Sequence, residues 1–493
     1  MAPKKKNSSS PDHPFDYDFI AIGSGPAGVT AALQASKLNK KAAIVEKSID
    51  SIGGAWLHTG TIPSKTIREV LASIQNVKTH VGNKWADRLV GSLSTAHLFN
   101  RAKSVSTDEQ KLIQKHLDNN NIEIIRGYAR FEDNHTLRVS PAKDDSFLVT
   151  ADKIMISTGS SPRRPPEIPF DDWRVVDSDG ILKLEHVPES LAIYGAGVIG
   201  CEFACIFGAL GVKTTLVDAR SEIMQTLDHE VTGELKKSME ELGIEFVLGQ
   251  SLKKISADGA HATLHLSSTD VAANVVFFAA GRVSNTKNLC LDRVQIKTNS
   301  RGAIVVNNYF QTEATNIYAA GDAIGPPALA STSSEQGRIA AHHAFGEGNR
   351  EFPAVFPIGI YTIPEMSSVG KCEEELQKEG VDYVVGRASY EEVARGYIRG
   401  DNHGLLKILA CRETQTILGI HIVGADAANL IHIGQCCMMT KMPLQDVVNS
   451  IIFNYPTLAE AYRVAAFNAL NKIFPSGNIE TNSPKKPGKR SAA

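Results

Sequence analysis

"YDFIAIGSGPAGVTAALQASKL", Tyr17–Leu38, decides the fold. An apolar strand pattern runs into a glycine turn, and the text behind the turn has the 3.6-residue period of a helix. "KAAIVEK", Lys41–Lys47, supplies the next strand. The unit is therefore strand, turn, helix, strand, the building block of a doubly wound parallel sheet. The turn reads Gly23-x-Gly25-Pro26-x-Gly28, and Glu46, followed by Lys47, closes the second strand. Gly23 permits the tight turn, Gly25 lets backbone approach a pyrophosphate, and Gly28 lets the helix pack close to the sheet. The phosphate then sits at the helix N-terminus, and Glu46 is placed to accept hydrogen bonds from ribose hydroxyls.

The same unit returns in "SLAIYGAGVIGCEFACIFGALGVKTTLVDAR", Ser190–Arg220. Here the turn is Gly195-x-Gly197-Val198-Ile199-Gly200, and Asp218 ends the following strand. Two such folds in one chain imply two dinucleotides, and two dinucleotides imply electron transfer between them. From about Phe352 the texture changes to alternating strands and helices of an α+β domain. The expected fold class is α/β, with two doubly wound, Rossmann-like dinucleotide domains followed by that α+β domain.

At 493 residues the chain exceeds one core, and about three domains are expected. Hydrophobic residues are 42%, charged residues 22% and the net charge is −2, so the balance points away from nucleic acid. No apolar run reaches bilayer length and "MAPKKKNSSSPDHP" has no apolar h-region, so no membrane association and a cytoplasmic location are expected. Residues 1–14 and 476–493 read as solvated polar tails, Lys4–Lys6 and Lys485–Arg490 included. The seven cysteines are odd in number, which argues against a disulfide scaffold. Cys201 and Cys205, one helical turn apart in an apolar pattern, read as core residues, and no metal site is expected.

On these two turns, together with "STGSSPR" (Ser157–Arg163), "AAGRVSN" (Ala279–Asn285) and "IYAAGD" (Ile317–Asp322), the chain resembles the pyridine nucleotide–disulfide oxidoreductase family from about Tyr17 to Phe474. The resemblance implies FAD on the first turn and NAD(P) on the second. It divides the chain into an FAD domain (15–162), an NAD(P) domain (163–285), an FAD return segment (286–350) and an α+β dimerisation domain (351–475). It also implies cofactor contacts at Ala129, Thr158, Gly159, Ala280, Gly281, Arg282, Gly321 and Asp322. The acid of the last motif would bond the ribityl chain. A helix starting near Ala330 would direct its positive end at the flavin.

The loop "GGAWLHTGTIPSK", Gly53–Lys65, separates this chain from the family's disulfide enzymes. Gly53, Gly54, Ala55, Trp56, Thr59 and Gly60 fall at cofactor-binding positions by resemblance, but the loop holds no cysteine. Thr61 stands at the second cysteine position, as in the family's transhydrogenases, and Trp56 stands at the first, where those enzymes keep a cysteine. In "FNYPTLAEAYRVAA", Phe453–Ala466, Tyr455 replaces the acid–base histidine while Glu460 is retained. A phenol with an ordinary pKa of about 10 is a poor base at neutral pH. Thiol chemistry is thus lost from both sides, and reducing equivalents must stop on the flavin.

The resemblance therefore implies a transhydrogenase that passes hydride between NADPH and NAD+ through FAD by a ping-pong mechanism. Lys65 would reach the flavin and pair with Glu202. An alternative is an NAD(P)H diaphorase or oxidase that uses a quinone, dye or oxygen, and a further one is a non-catalytic FAD-binding scaffold. Asp218 suits the NAD(H) ribose. NADP(H) use rests on the resemblance and on Arg220, which either offsets the acid's repulsion of a 2′-phosphate or is a surface residue. A homodimer is implied by the dimerisation segment.

Overall fold

The computed structural model describes residues 14–348, 350–401 and 403–474; the two polar tails, Pro14 apart, lie outside them. The described chain forms two compact units. The first comprises residues up to 225, 236–356 and 361–363; the second comprises 226–235, 357–360 and the chain from 364 on.

Both dinucleotide folds lie in the first unit. Strand Tyr17–Ile22 is the centre of a seven-stranded sheet, flanked by parallel strands Ala42–Glu46 and Phe147–Ile156. Phe19, Ile20, Ala21 and Ile44 are wholly buried. One face packs on helix residues such as Ala31 and Ile339 and the other on strand residues such as Phe131, Leu137 and Val139, so these strands are apolar throughout rather than alternating. Strand Ile317–Ala319 returns from far along the sequence to pair in parallel with Phe147–Ile156. Helix Ala330–Ala344 forms where the sequence placed it, and it lies against the first glycine-turn helix, Pro26–Lys37. A Cβ on Gly337 would stand 2.2 Å from the Ala27 carbonyl oxygen, so only glycine allows this approach.

The second sheet runs Ile244–Val247, Lys213–Val217, Ser190–Tyr194, Val275–Phe278, Val175–Val176, every pairing parallel. Helix Val198–Ala209 follows its glycine turn and is buried from Gly200 to Ala209. Cys201 and Cys205 lie in that stretch as free, buried thiols, which accords with the reading of them as core residues.

The second unit carries a five-stranded antiparallel sheet, in the order Ile358–Ile360, Met366–Gly370, Ile417–Val423, Leu405–Cys411, Tyr383–Ser389. Helix Glu460–Ile473 packs on its edge strand, where a Cβ on Gly386 would meet the Ala465 carbonyl at 2.1 Å. Among the described residues no helix is long and apolar enough to cross a membrane.

Candidate active site

The two glycine turns are near copies. Gly23 and Gly195 take φ of +105° and +118°, where L side chains are strained. A Cβ on Gly28 would lie 2.0 Å from the Gly23 carbonyl oxygen, and one on Gly200 would lie 1.8 Å from that of Gly195. At Gly25 and Gly197 the space a Cβ would fill has nothing within 4 Å. Each turn therefore leaves a backbone cradle at a helix N-terminus, begun by Pro26 in one and by Val198 and Ile199 in the other. A pyrophosphate fits both.

Each turn is braced by its strand-end acid. Glu46 Oε2 accepts from the Ser24 amide (3.0 Å) and hydroxyl (2.7 Å). Asp218 Oδ2 accepts from the Ala196 amide at 2.6 Å. Ser24 Oγ also accepts from the Gly53 amide at 3.2 Å, and a Cβ on Gly54 would come within 3.0 Å of the Gly25 Cα. These contacts bring the cysteine-free loop against the first cradle. Lys47 follows the acid on the exposed side, and Ala129 sits in strand Tyr128–Phe131, just beyond Gly127, whose amide donates to the Glu46 carbonyl.

In the loop, Ala55 and the half-buried Trp56 form the short helix Ala55–His58, with Thr59 and Gly60 leading into helix Thr61–Val81. Lys65, on the first turns of that helix, gives Glu202 Oε2 a 2.5 Å ion pair. The Lys65 side chain is 24% exposed and that of Glu202 only 6%, so the carboxylate depends on this partner. Glu202 Oε1 accepts the Tyr361 amide at 2.9 Å, and the Lys65 ammonium lies 5.2 Å from the centre of the Tyr361 ring. Lys65 also reaches Ser64 Oγ, at 3.4 Å. Two of its three N–H groups are thus engaged, and the third has no acceptor among the described residues.

The segment joining the two folds is stitched by antiparallel pairing of Ser160–Pro162 with Arg282–Ser284. Arg282 donates to Ser160 Oγ and to its carbonyl oxygen, both at 2.8 Å. Ser160 Oγ in turn donates to Asp322 Oδ2 at 2.6 Å. Gly281 accepts the Arg163 amide, and Ala280 precedes it, two residues beyond strand Val275–Phe278. Gly321 donates its amide to Gln336 Oε1 in helix Ala330–Ala344. Beside Gly159, the Thr158 hydroxyl is buried and unpartnered among the described residues, as a group that meets a bound cofactor would be.

The sequence reading missed several members. Asp179 hydrogen-bonds Thr59, and its carboxyl is shifted upward chiefly by burial, with Arg282 opposing and Asp177 reinforcing. Tyr361 completes the Lys65–Glu202 pair but lies far from both in sequence, and no local pattern announces it. Tyr455 and Glu460 belong to the second unit: the Tyr455 side chain is exposed, and Glu460 Oε2 accepts the Thr457 amide at 3.4 Å.

The Gly53–Lys65 loop holds no thiol, and the Cys201 Sγ beside the second turn donates to the Ala196 carbonyl oxygen at 3.6 Å. Cys201 is raised well above an ordinary thiol by burial and Cys205 is pushed up to about 12 by the same cause, so neither supplies thiolate at neutral pH.

Comparison with known proteins identifies the family. Residues 17–337 match the pyridine nucleotide-disulphide oxidoreductase family and residues 356–466 match its dimerisation domain. A soluble pyridine nucleotide transhydrogenase of Mycobacterium tuberculosis is 42% identical over 460 residues, 93% of this chain and 98% of that protein. One from Photorhabdus laumondii is 43% identical over 464 residues, 93% of this chain and 99% of its own. Among solved structures, the HOCl-induced flavoprotein disulfide reductase RclA from Escherichia coli superposes with a TM-score of 0.82 at 28% identity, covering 92% of this chain and 99% of that one. LpdA from Mycobacterium tuberculosis does so with a TM-score of 0.84 at 26% identity, covering 91% and 99%. The chain belongs to the pyridine nucleotide–disulphide oxidoreductase family, as an FAD-dependent oxidoreductase that uses a pyridine nucleotide and whose Gly53–Lys65 loop carries no cysteine.

Proposed function

We propose that this protein is a pyridine nucleotide transhydrogenase that moves hydride between NADPH and NAD+ without a sulfur relay. The observation that carries the reading is a Lys65–Glu202 pair kept intact beside a loop whose two cysteine positions hold Trp56 and Thr61. The names of the relatives, each aligned over nearly the whole chain, support it.

FAD, when bound, would supply the redox chemistry of hydride transfer. The chain's own contribution is position and charge. Gly25 and Gly197 leave room for the two pyrophosphates, and Glu46 is the acceptor for the FAD ribose. Thr158, Gly159, Ser160 and Asp322 would hold the flavin through polar contacts. Lys65 offers its unengaged N–H and a positive charge where reduction deposits negative charge, and Glu202 with Tyr361 fixes its direction. Trp56 fills the space a cysteine would take.

Acting in the cytoplasm as a homodimer is part of the same reading. The dimerisation-domain match supports the dimer, as do the exposed apolar groups of the second unit, Ile452 at 91% and Tyr455 at 75% exposure. On this reading Tyr455 and Glu460 serve the partner's site.

Anaerobic rapid mixing tests the proposal. NADPH should bleach the bound flavin, and an NAD+ analogue added next should restore its colour at a comparable rate. A flavin that stays oxidised under NADPH excludes the reading. Fast quinone reduction with no exchange between nicotinamides would replace it with a diaphorase.

A further inference from the structure

The two strand-end acids brace their turns alike but are loaded differently. Glu46 Oε1 meets only the Ser48 amide, at 3.4 Å, so among the described residues it keeps acceptor capacity for ribose hydroxyls. Asp218 keeps none. Its Oδ1 accepts the Arg220 amide (2.8 Å) and Nε (3.0 Å), and its Oδ2 accepts the Ala196 amide (2.6 Å) and Arg220 Nη2 (2.7 Å). A carboxylate offers about four lone-pair sites, and all are taken. The position that should read the adenosine ribose is covered by a guanidinium.

The backbone under that cover is held independently of the Arg220 side chain. The Asp218 carbonyl accepts the Gln250 amide at 3.0 Å, and the Arg220 carbonyl accepts the Gly249 amide at 2.9 Å. The Arg220 side chain is 42% exposed against 8% for Asp218. Burial pushes the Asp218 carboxyl up, but the Arg220 hydrogen bonds outweigh it and hold the group below the usual range. Both partners are therefore charged at neutral pH.

We propose that Arg220 is a movable clasp that lets one pocket take both nicotinamide dinucleotides. With NAD(H), the ribose hydroxyls replace guanidinium N–H groups on Asp218. With NADP(H), the guanidinium turns onto the 2′-phosphate and cancels the repulsion that Asp218 alone would exert. The inference rests on the transhydrogenase reading, since only an enzyme that alternates between the two cofactors needs such a device. On this proposal Arg220 is a phosphate partner rather than a surface residue.

The test is calorimetric titration of the FAD-loaded protein with 2′,5′-ADP and with 5′-AMP, which differ only in the 2′-phosphate. Arg220→Ala should weaken 2′,5′-ADP by about tenfold to a hundredfold, as loss of a charged hydrogen bond does. It should leave 5′-AMP within about threefold of the wild type or tighten it, because the same exchange that weakens a phosphate contact frees Asp218. Arg220→Lys should fall between, since it keeps the charge but lacks the planar fork. Asp218→Asn should weaken 5′-AMP and spare 2′,5′-ADP. Equal weakening of both ligands by Arg220→Ala would make the residue a brace for the turn, and no change in either would make it a surface group; each overturns the clasp. Anaerobic bleaching of the wild type by NADPH and by NADH separates the two claims. Failure of NADPH to bleach, with Arg220-dependent 2′,5′-ADP binding, removes the transhydrogenase reading alone. Bleaching by both, with no Arg220 dependence, removes the clasp alone.

Discussion

Replacing Lys65 with methionine is expected to slow reduction of the bound FAD by NADPH by ~10²–10³-fold, the usual cost of removing one fixed donor at a site of developing negative charge. Flavin content should not change, because the Gly25 cradle and Glu46 are untouched. The single variant leaves the Glu202 carboxylate buried without its cation, which threatens the fold as well as the chemistry. The double variant Lys65→Met/Glu202→Gln removes that strain and should be as slow as Lys65→Met. Glu202→Gln alone keeps the ammonium but loosens it, and about a tenfold loss is expected, a full charge-assisted bond being weakened rather than removed. Recovery of wild-type speed in the double variant would show that Lys65 only neutralises Glu202. Stopped-flow traces at saturating NADPH make the distinction.

The second large effect is on stability. In the second unit, Lys407 is 1% exposed and its ammonium contacts Asp228 and Glu230, each at 2.9 Å, and also Glu373. Arg387 grips Glu230 through Nε and Nη2 at 2.6 and 2.8 Å. Lys407→Ala would strand the fully buried Asp228, and breaking such a network costs about 3–5 kcal/mol. Lys407→Met/Asp228→Asn should recover much of that loss, since it removes both charges and keeps the volume. Urea unfolding of the intact protein, followed by a probe in this unit, reads the difference. Equal stability of Lys407→Ala and wild type would contradict the network's role.

The same cluster gives a pH dependence with a defined sign. Burial pushes the Glu230 carboxyl up, yet hydrogen bonds from Arg387 and Lys407 prevail and hold it down to about 2, against an ordinary 4.5. A depressed carboxyl contributes stability above its unfolded value and loses it as pH falls toward its folded one. Acid should therefore weaken the second unit between pH 4.5 and about 2, and Glu230→Gln should flatten that slope in a melting series.

Fold and cofactor class were legible because they rest on local requirements. Gly23 and Gly28 answer to backbone geometry within one turn, and Gly195 and Gly200 repeat it, so a short stretch suffices to read them. The Lys65–Glu202 pair was reachable only through resemblance, since 137 residues separate its members. Tyr361, Asp179 and the Ser160–Asp322 bond were not legible, because each is made by segments that meet only after folding. Lys407 did leave a sign: "LLKILA", Leu405–Ala410, places a lysine inside an apolar strand, and a buried cation requires buried anions. Asp218 was read correctly as a strand-end acid, but its saturation by Arg220 depends on side-chain directions that sequence does not carry.

The central claim is that the flavin is the sole electron store, and anaerobic dithionite titration of the FAD-loaded protein measures that store directly. Two electrons per FAD should complete the reduction, with no long-wavelength thiolate–flavin band on the way. Uptake of four electrons per FAD would mean that a cysteine pair shares the charge, and the sulfur-free route would be wrong.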